Sequence, residues 1–194
     1  MRKELCLVLG GARSGKSAFA VSQAHGVGER VVFAATAEAG DDEMRARIER
    51  HRRERPAHWR TLEAPVGLGE AIRAAAGTAE VVIVDCLSFL VANVIGNGGG
   101  IDAVEADARV AQEMEALLSA FEGGRASFIV VSNEVGMGVV PAYASGRVFR
   151  DALGRANQRL SRAADRVYWM LAGMGLEVKA SGLAESCEGP YGST

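Results

Sequence analysis

Cysteine is scarce in this 194-residue chain: Cys6, Cys86 and Cys187 are odd in number, far apart and without metal-ligand spacing. That argues against a disulfide framework or a cysteine-built metal site, and two of the three lie in apolar, strand-like surroundings that suit reduced core thiols. Long apolar runs are absent as well. None approaches the ~20 residues of a membrane helix. The run Leu5 to Leu9 behind Arg2 and Lys3 is shorter than the ~7–15 apolar residues at the heart of a secretory signal. Charge of one sign is also missing, since 22 Lys and Arg face 24 Asp and Glu for a formal net charge of -2. Such a balance offers no electrostatic reason to expect a nucleic-acid partner. With no internal repeat and no interdomain linker, these absences leave a single-domain cytoplasmic enzyme as the expectation.

Hydrophobic residues make up 48% and charged residues 24%, enough apolar material for a core. Short β-rich apolar runs alternate with longer helical patterns, the signature of parallel strands joined by helical crossovers. Strands are expected at Leu5 to Leu9, Val31 to Ala35, Val81 to Asp85, Ser127 to Ser132 and Arg166 to Leu171, with a sixth from Leu176 to Lys179. Helices are expected at Ser17 to Ala24, Asp41 to Arg55, Val66 to Ala76, Asp102 to Phe121 and Ser145 to Ala164. Gly96 to Gly100 reads as a flexible insertion, and Ala180 to Thr194 as a small and polar tail that calls for no structure. The fold class is α/β, a mostly parallel sheet flanked by helices over residues 1–179.

Directly after the first strand stands Gly10-Gly11-Ala12-Arg13-Ser14-Gly15-Lys16-Ser17, a phosphate loop of the form G-x-x-x-x-G-K-[ST] in the strand-then-helix setting that gives it meaning. Glycines let the backbone turn tightly with its N–H groups on phosphate oxygens, and Lys16 supplies a positive charge for the β and γ phosphates. Ser17 offers a hydroxyl to Mg2+. The following helix adds the positive end of its dipole, with Ala18, Phe19, Ala20, Val21 and Ala24 as its apolar face. A second signal is Val81-Val82-Ile83-Val84-Asp85, a buried strand ending in a carboxylate, which is where phosphate-loop proteins hold the Mg2+ water shell. A strand-ending turn aspartate would read the same way.

The segment from Asp41 to Pro56 has an acidic start, a basic body and a terminal proline, as suits one helix aligned with its dipole. Met44, Ile48, His51 and Arg55 recur at spacings of four, three and four, so His51 shares a stripe with the apolar residues, and Arg47 and Arg55 lie one turn to either side. Spacing alone leaves His51 open between a packed residue and a catalytic one, and the arginines between a solvated face and a phosphate site.

Taken in order, the phosphate loop, Asp41-Asp42-Glu43-Met44 leading to His51-x-x-x-Arg55-Pro56, Trp59-x-Thr61-x-Glu63, Asn133-Glu134-Val135-Gly136-Met137-Gly138-x-x-Pro141, and Phe149-Arg150-Asp151-x-x-Gly154-x-x-Asn157-Gln158 closely resemble the bifunctional adenosylcobinamide kinase/adenosylcobinamide-phosphate guanylyltransferase family. The resemblance implies a P-loop NTPase fold of RecA-like type and a homotrimer. It implies phosphorylation of the aminopropanol hydroxyl of adenosylcobinamide by ATP or GTP, then transfer of GMP from GTP through a GMP-histidine, with Mg2+. By the same resemblance His51 carries the GMP. Nucleotide contacts fall on Gly10 to Ser17, on Ala35, Thr36 and Ala37, on Arg52, Arg53, Glu54 and Arg55, and on Glu63 and Asp85. Ala37 lacks the hydroxyl often found there in relatives, so no side-chain hydrogen bond is expected from it.

The chemistry is consistent with these residue types. Free imidazole, with a pKa near 6.5, is largely unprotonated at neutral pH and can attack a phosphorus without a helper base. A phosphate-loop kinase of another small molecule would keep the loop without needing His51. A nucleotide switch would carry the Asn-Lys-x-Asp guanine string, which is absent.

Overall fold

The computed structural model describes residues 2–53, 55–96 and 102–180, and for Arg47 the backbone alone. In chain order the elements are β1 (Leu5–Gly10), α1 (Lys16–Val27), β2 (Val31–Ala35), α2 (Asp42–Arg53), β3 (Arg60–Glu63), α3 (Leu68–Ala75), β4 (Val81–Asp85), α4 (Leu87–Ile95), α5 (Ala103–Gly123), β5 (Ser127–Asn133), α6 (Ala144–Ala163), β6 (Arg166–Leu171) and β7 (Met174–Lys179). The seven strands form one sheet in the order β3-β2-β4-β5-β1-β6-β7. Every neighbouring pair is parallel except β6 and β7, which close as a hairpin over Ala172 and Gly173, both at positive φ.

The strands are apolar on both faces because both faces are covered. Leu5 and Leu7 join Val82, Val84, Phe128 and Val130 in a core beneath α3, α4, α5 and α6. Cys6 and Val8 point the other way, with Phe33, Ile83 and Ile129, against Ala20 and Ala24 of α1. Small residues on α1 let that helix lie close to the strands, and Phe19 and Val21 pack at its margin as its sequence suggested. Cys6 and Cys86 are buried free thiols. Asp41 caps α2 by accepting from the Met44 amide, and Asp102 caps α5 by accepting from the Glu105 amide.

Two elements escape the sequence reading. Strand β3 borders the sheet, and its Arg60, Thr61 and Glu63 are half-exposed or exposed, so no apolar run marks it. Helix α4 fails for the opposite reason. Leu87, Ser88, Leu90 and Val91 are buried, so it lacks the polar face that gives a helix its periodicity, and the sequence reading assigns no element there. The remaining boundaries agree to within a few residues. The C-terminal strand is two residues longer than expected. Gly96 caps α4, while the rest of the glycine-rich insertion and residues 181–194 lie outside the described residues.

Gly69 shows how tightly the helical layer is set. A Cβ there would lie 2.3 Å from the Ala116 carbonyl carbon and oxygen on α5. Gly69→Ala is therefore expected to destabilise the chain by about 1–3 kcal/mol through overpacking, read as a lower urea midpoint; an unchanged midpoint would contradict this α3–α5 approach.

Candidate active site

The phosphate loop leaves β1 at Gly10, where φ is 155° and a Cβ would meet the Met170 carbonyl oxygen at 2.6 Å and Ser14 Oγ at 2.7 Å. Only glycine fits. Gly15, at φ 94°, occupies the left-handed region and caps α1, and Arg13 adopts φ 58° without being glycine. A non-glycine residue there signals a backbone held by its surroundings. Part of that hold comes from the β6–β7 hairpin, whose Gly173 amide donates to the Ser14 carbonyl at 3.0 Å. Lys16 is 7% exposed, and its Nζ donates to the Gly11 carbonyl at 2.5 Å and lies 3.5 Å from Ser14 Oγ. A buried ammonium at the start of α1, beside helix N–H groups that lack intrahelical acceptors, makes an anion site.

This loop forms one wall of a cleft of about 460 Å3. The floor comes from the carboxyl ends of β2, β4 and β5, contributing Ala35, Asp85, Val131 and Asn133. Helix α2 supplies Met44, Ile48 and His51, and Arg55 follows just beyond it. The stripe read from the sequence thus faces the cleft. Arg55 stacks its guanidinium 3.4 Å from the Phe33 ring centre, and burial lowers its pKa while the Asp85 carboxylate raises it. A guanidinium keeps its charge under such pressure, so the cleft holds a cation besides Lys16.

Next to Asp85, the backbone is clamped from the side. Thr36, fully buried, donates its hydroxyl to the Cys86 carbonyl at 2.6 Å and accepts from the Cys86 amide at 2.9 Å. Asn93 on α4 donates to the Thr36 and Pro65 carbonyls, joining the segments that follow β2 and β3 to the helical layer. Burial, with a smaller contribution from Asp85, pushes the Cys86 thiol pKa up, so Cys86 borders the cleft as a neutral thiol.

Of the residues expected from the sequence, Ala12, Arg13, Ser14, Gly15, Lys16, Ser17, Ala35, Ala37, His51, Arg55 and Asp85 line this single cleft. Others do not. Gly10 and Gly11 form the base of the loop, and the Thr36 side chain is committed to Cys86. Arg52 and Arg53 are exposed, with Arg53 paired to Glu49 at 3.0 Å, and Glu63 is exposed at the end of β3. Glu54 lies outside the described residues. Unforeseen in the lining are Ala18, Met44, Ile48, Cys86, Phe89, Val131 and Asn133. Asn133 carried the same signal as Asp85, a polar residue closing an apolar strand.

A phosphate loop on β1, an aspartate on β4 and the intervening β5 define a P-loop nucleotide-binding protein of RecA-like strand order. Comparison narrows this class. The family model for cobinamide kinase / cobinamide phosphate guanyltransferase matches residues 6–178, and the chain belongs to that family. It is 41% identical over 181 residues to the bifunctional adenosylcobalamin biosynthesis protein CobU of Escherichia coli K12, covering 90% of this chain and 99% of that protein. It is 39% identical over 181 residues to the protein of the same name from Salmonella typhimurium LT2, with coverage of 90% and 99%. With the bifunctional adenosylcobalamin biosynthesis protein CobP of Pseudomonas aeruginosa PAO1 it shares 40% identity over 177 residues, 91% of this chain and 98% of that one. Among solved structures, the RadB recombinase aligns at a TM-score of 0.48 and 15% identity, over 86% of this chain and 73% of the other.

Lys16→Ala removes the buried ammonium and leaves the loop backbone in place. Nucleoside triphosphate affinity is expected to fall, and phosphoryl-transfer kcat/KM to drop by on the order of 10²-fold or more. Calorimetric titration and initial rates check both, and near-normal values would remove this loop from the site.

Proposed function

We propose that the chain phosphorylates the aminopropanol hydroxyl of adenosylcobinamide and then transfers GMP from GTP to the product, giving adenosylcobinamide-GDP through a GMP-histidine on His51. One observation carries this reading: a single cleft is lined both by the phosphate loop and by His51 and Arg55. In the guanylyl step an imidazole nitrogen attacks the α-phosphorus of GTP as the bond to pyrophosphate breaks. A phosphate oxygen of adenosylcobinamide phosphate then takes the GMP and frees the histidine. Arg55, and Lys16 across the cleft, would neutralise the charge that builds on departing pyrophosphate. Cys86, held as a neutral thiol, offers no competing thiolate.

ATP or GTP serves as phosphoryl donor in this proposal, and Mg2+ as cofactor. The donor set fits, because the Ser17 hydroxyl and the Asp85 carboxylate, both hard oxygen donors, border the same cleft. Mg2+ usually takes one or two protein ligands and completes its shell with water and phosphate oxygens. Bound there, it would offset charge on the β and γ phosphates. Free Cys6 and Cys86, and the absence among the described residues of any helix long and apolar enough to cross a membrane, support the cytoplasmic setting included in the proposal.

The homotrimer that the resemblance implies also belongs here. The hairpin residues Leu171, Met174, Leu176 and Val178 are all between 59% and 67% exposed, an apolar patch suited to burial between copies. Sedimentation velocity is expected to return the mass of three chains; a fully active monomer at working concentration would contradict it.

Incubation with α-labelled GTP is expected to label the protein through a phosphoramidate that is lost in acid and kept in alkali. The label should map to the peptide carrying His51, with His25 and His58 as internal controls. His51→Ala is expected to abolish labelling while cobinamide phosphorylation stays within about tenfold of wild type, because phosphoryl transfer to the hydroxyl needs no protein nucleophile. Label persisting on that variant, or both activities vanishing in a folded protein, would overturn the division of labour.

A further inference from the structure

Asn133 ends β5, the strand between β1 and β4, and lines the cleft there. In register it pairs with Gly10, the first residue of the phosphate loop, while Asp85 pairs with Val131 two residues earlier on the same strand. Its position therefore falls between the groups that hold phosphate and the carboxylate on β4.

The amide is held from behind. Asn133 Nδ2 donates to Ser88 Oγ at 2.8 Å, and Ser88, itself buried, contacts Cys86 Sγ at 2.9 Å. The Asn133 carbonyl accepts from Asn157 Nδ2 at 3.1 Å, and Asn157 Oδ1 accepts from Ser132 Oγ at 2.6 Å. Asn157 is 5% exposed on α6. A chain of hydrogen bonds thus runs from Thr36 through Cys86 and Ser88 to the Asn133 side chain, with a second clamp on its backbone. With Nδ2 on Ser88 Oγ, Oδ1 is the polar atom of the carboxamide left for the cleft that Asn133 lines. Among the described residues Asn133 Oδ1 makes no hydrogen bond. An acceptor oxygen beside an anion site suits a hydroxyl better than a phosphate, because a phosphate oxygen, itself an acceptor, would repel it.

We infer that Asn133 orients the attacking alcohol in the phosphoryl-transfer half of the reaction, its Oδ1 accepting the hydrogen bond of the acceptor hydroxyl. The inference rests on the kinase reading proposed above. The alcohol oxygen bonds to the γ-phosphorus as the bond from that phosphorus to the β–γ bridging oxygen breaks, and the electron pair leaves on the nucleoside diphosphate. The hydroxyl proton is released to water after the transition state, because a carboxamide orients a proton without taking it up. Guanylylation of His51 involves no alcohol and draws nothing from this oxygen.

The test compares Asn133→Ala, Asn133→Asp and Ser88→Ala at saturating nucleotide, with cobinamide phosphorylation, nucleotide affinity and labelling of His51 read in parallel. Asn133→Ala is expected to lower the phosphorylation kcat by roughly 30- to 100-fold, as loss of one orienting contact does. Nucleotide Kd should move by less than about threefold, and the guanylylation rate should fall far less than phosphorylation. Asn133→Asp keeps an acceptor oxygen but adds a negative charge beside the anion site, so at saturating nucleotide it should recover about threefold of the lost kcat while raising nucleotide Kd. Ser88→Ala leaves Asn133 in place and frees its amide, so kcat should fall by about fivefold even if the alanine variant at 133 does not fold. An active wild type with kcat within about twofold in Asn133→Ala overturns the inference alone, and so does equal loss of both activities or of nucleotide affinity. A wild type that transfers no phosphate overturns the kinase reading, and the inference with it.

Discussion

Parallel pairing of β2, β4, β5 and β1 forces these strands to end at the same edge of the sheet, and the site depends on that constraint. An antiparallel neighbour would send its carboxyl end to the far side. Here Gly10, Ala35, Asp85 and Asn133 leave their strands together, although more than half of the chain lies between the first and the last. The crossovers that parallel strands require must be long, and they supply the helices that bury both faces. Sheet and cleft are two results of one hydrogen-bonding pattern.

Around that edge, polar groups are used economically. Thr36 satisfies both backbone groups of Cys86, Asn93 ties two carbonyls, and Ser88 supports Asn133. A buried polar group without a partner costs on the order of 1–3 kcal/mol, so these hydrogen bonds favour one arrangement of the cluster. The phosphate loop is treated similarly from below. Met170 and Gly173 of the β6–β7 hairpin touch it, the first closing off space at Gly10 and the second donating to Ser14. An outer hairpin far along the chain therefore sets the shape of a loop near its start.

Much of this was readable in the residues. The phosphate loop, Asp85 and the helix bearing His51 all announced themselves, because each depends on local backbone chemistry: glycine at positive φ, a carboxylate ending an apolar run, charges ordered along a helix. Edge strand β3 and buried helix α4 were not readable, since the first lacks an apolar run and the second lacks a polar face. Residues 52, 53 and 63, joined to the site by resemblance, stand exposed away from the cleft lining, and Thr36 faces the scaffold. Spacing gave no sign of these orientations.

An α/β chain, the position of its anion site and the family to which its motifs belong are legible in the residues alone, because those follow from local propensity and from short contiguous strings. That the α2 stripe lines the same cleft as the phosphate loop, that Arg55 rests on Phe33, and that Asn133 stands beside Gly10 follow only from the assembled fold. Such meetings depend on strand order, and strand order is settled by which buried faces pack best across the whole sheet rather than by any residue's neighbours in the chain.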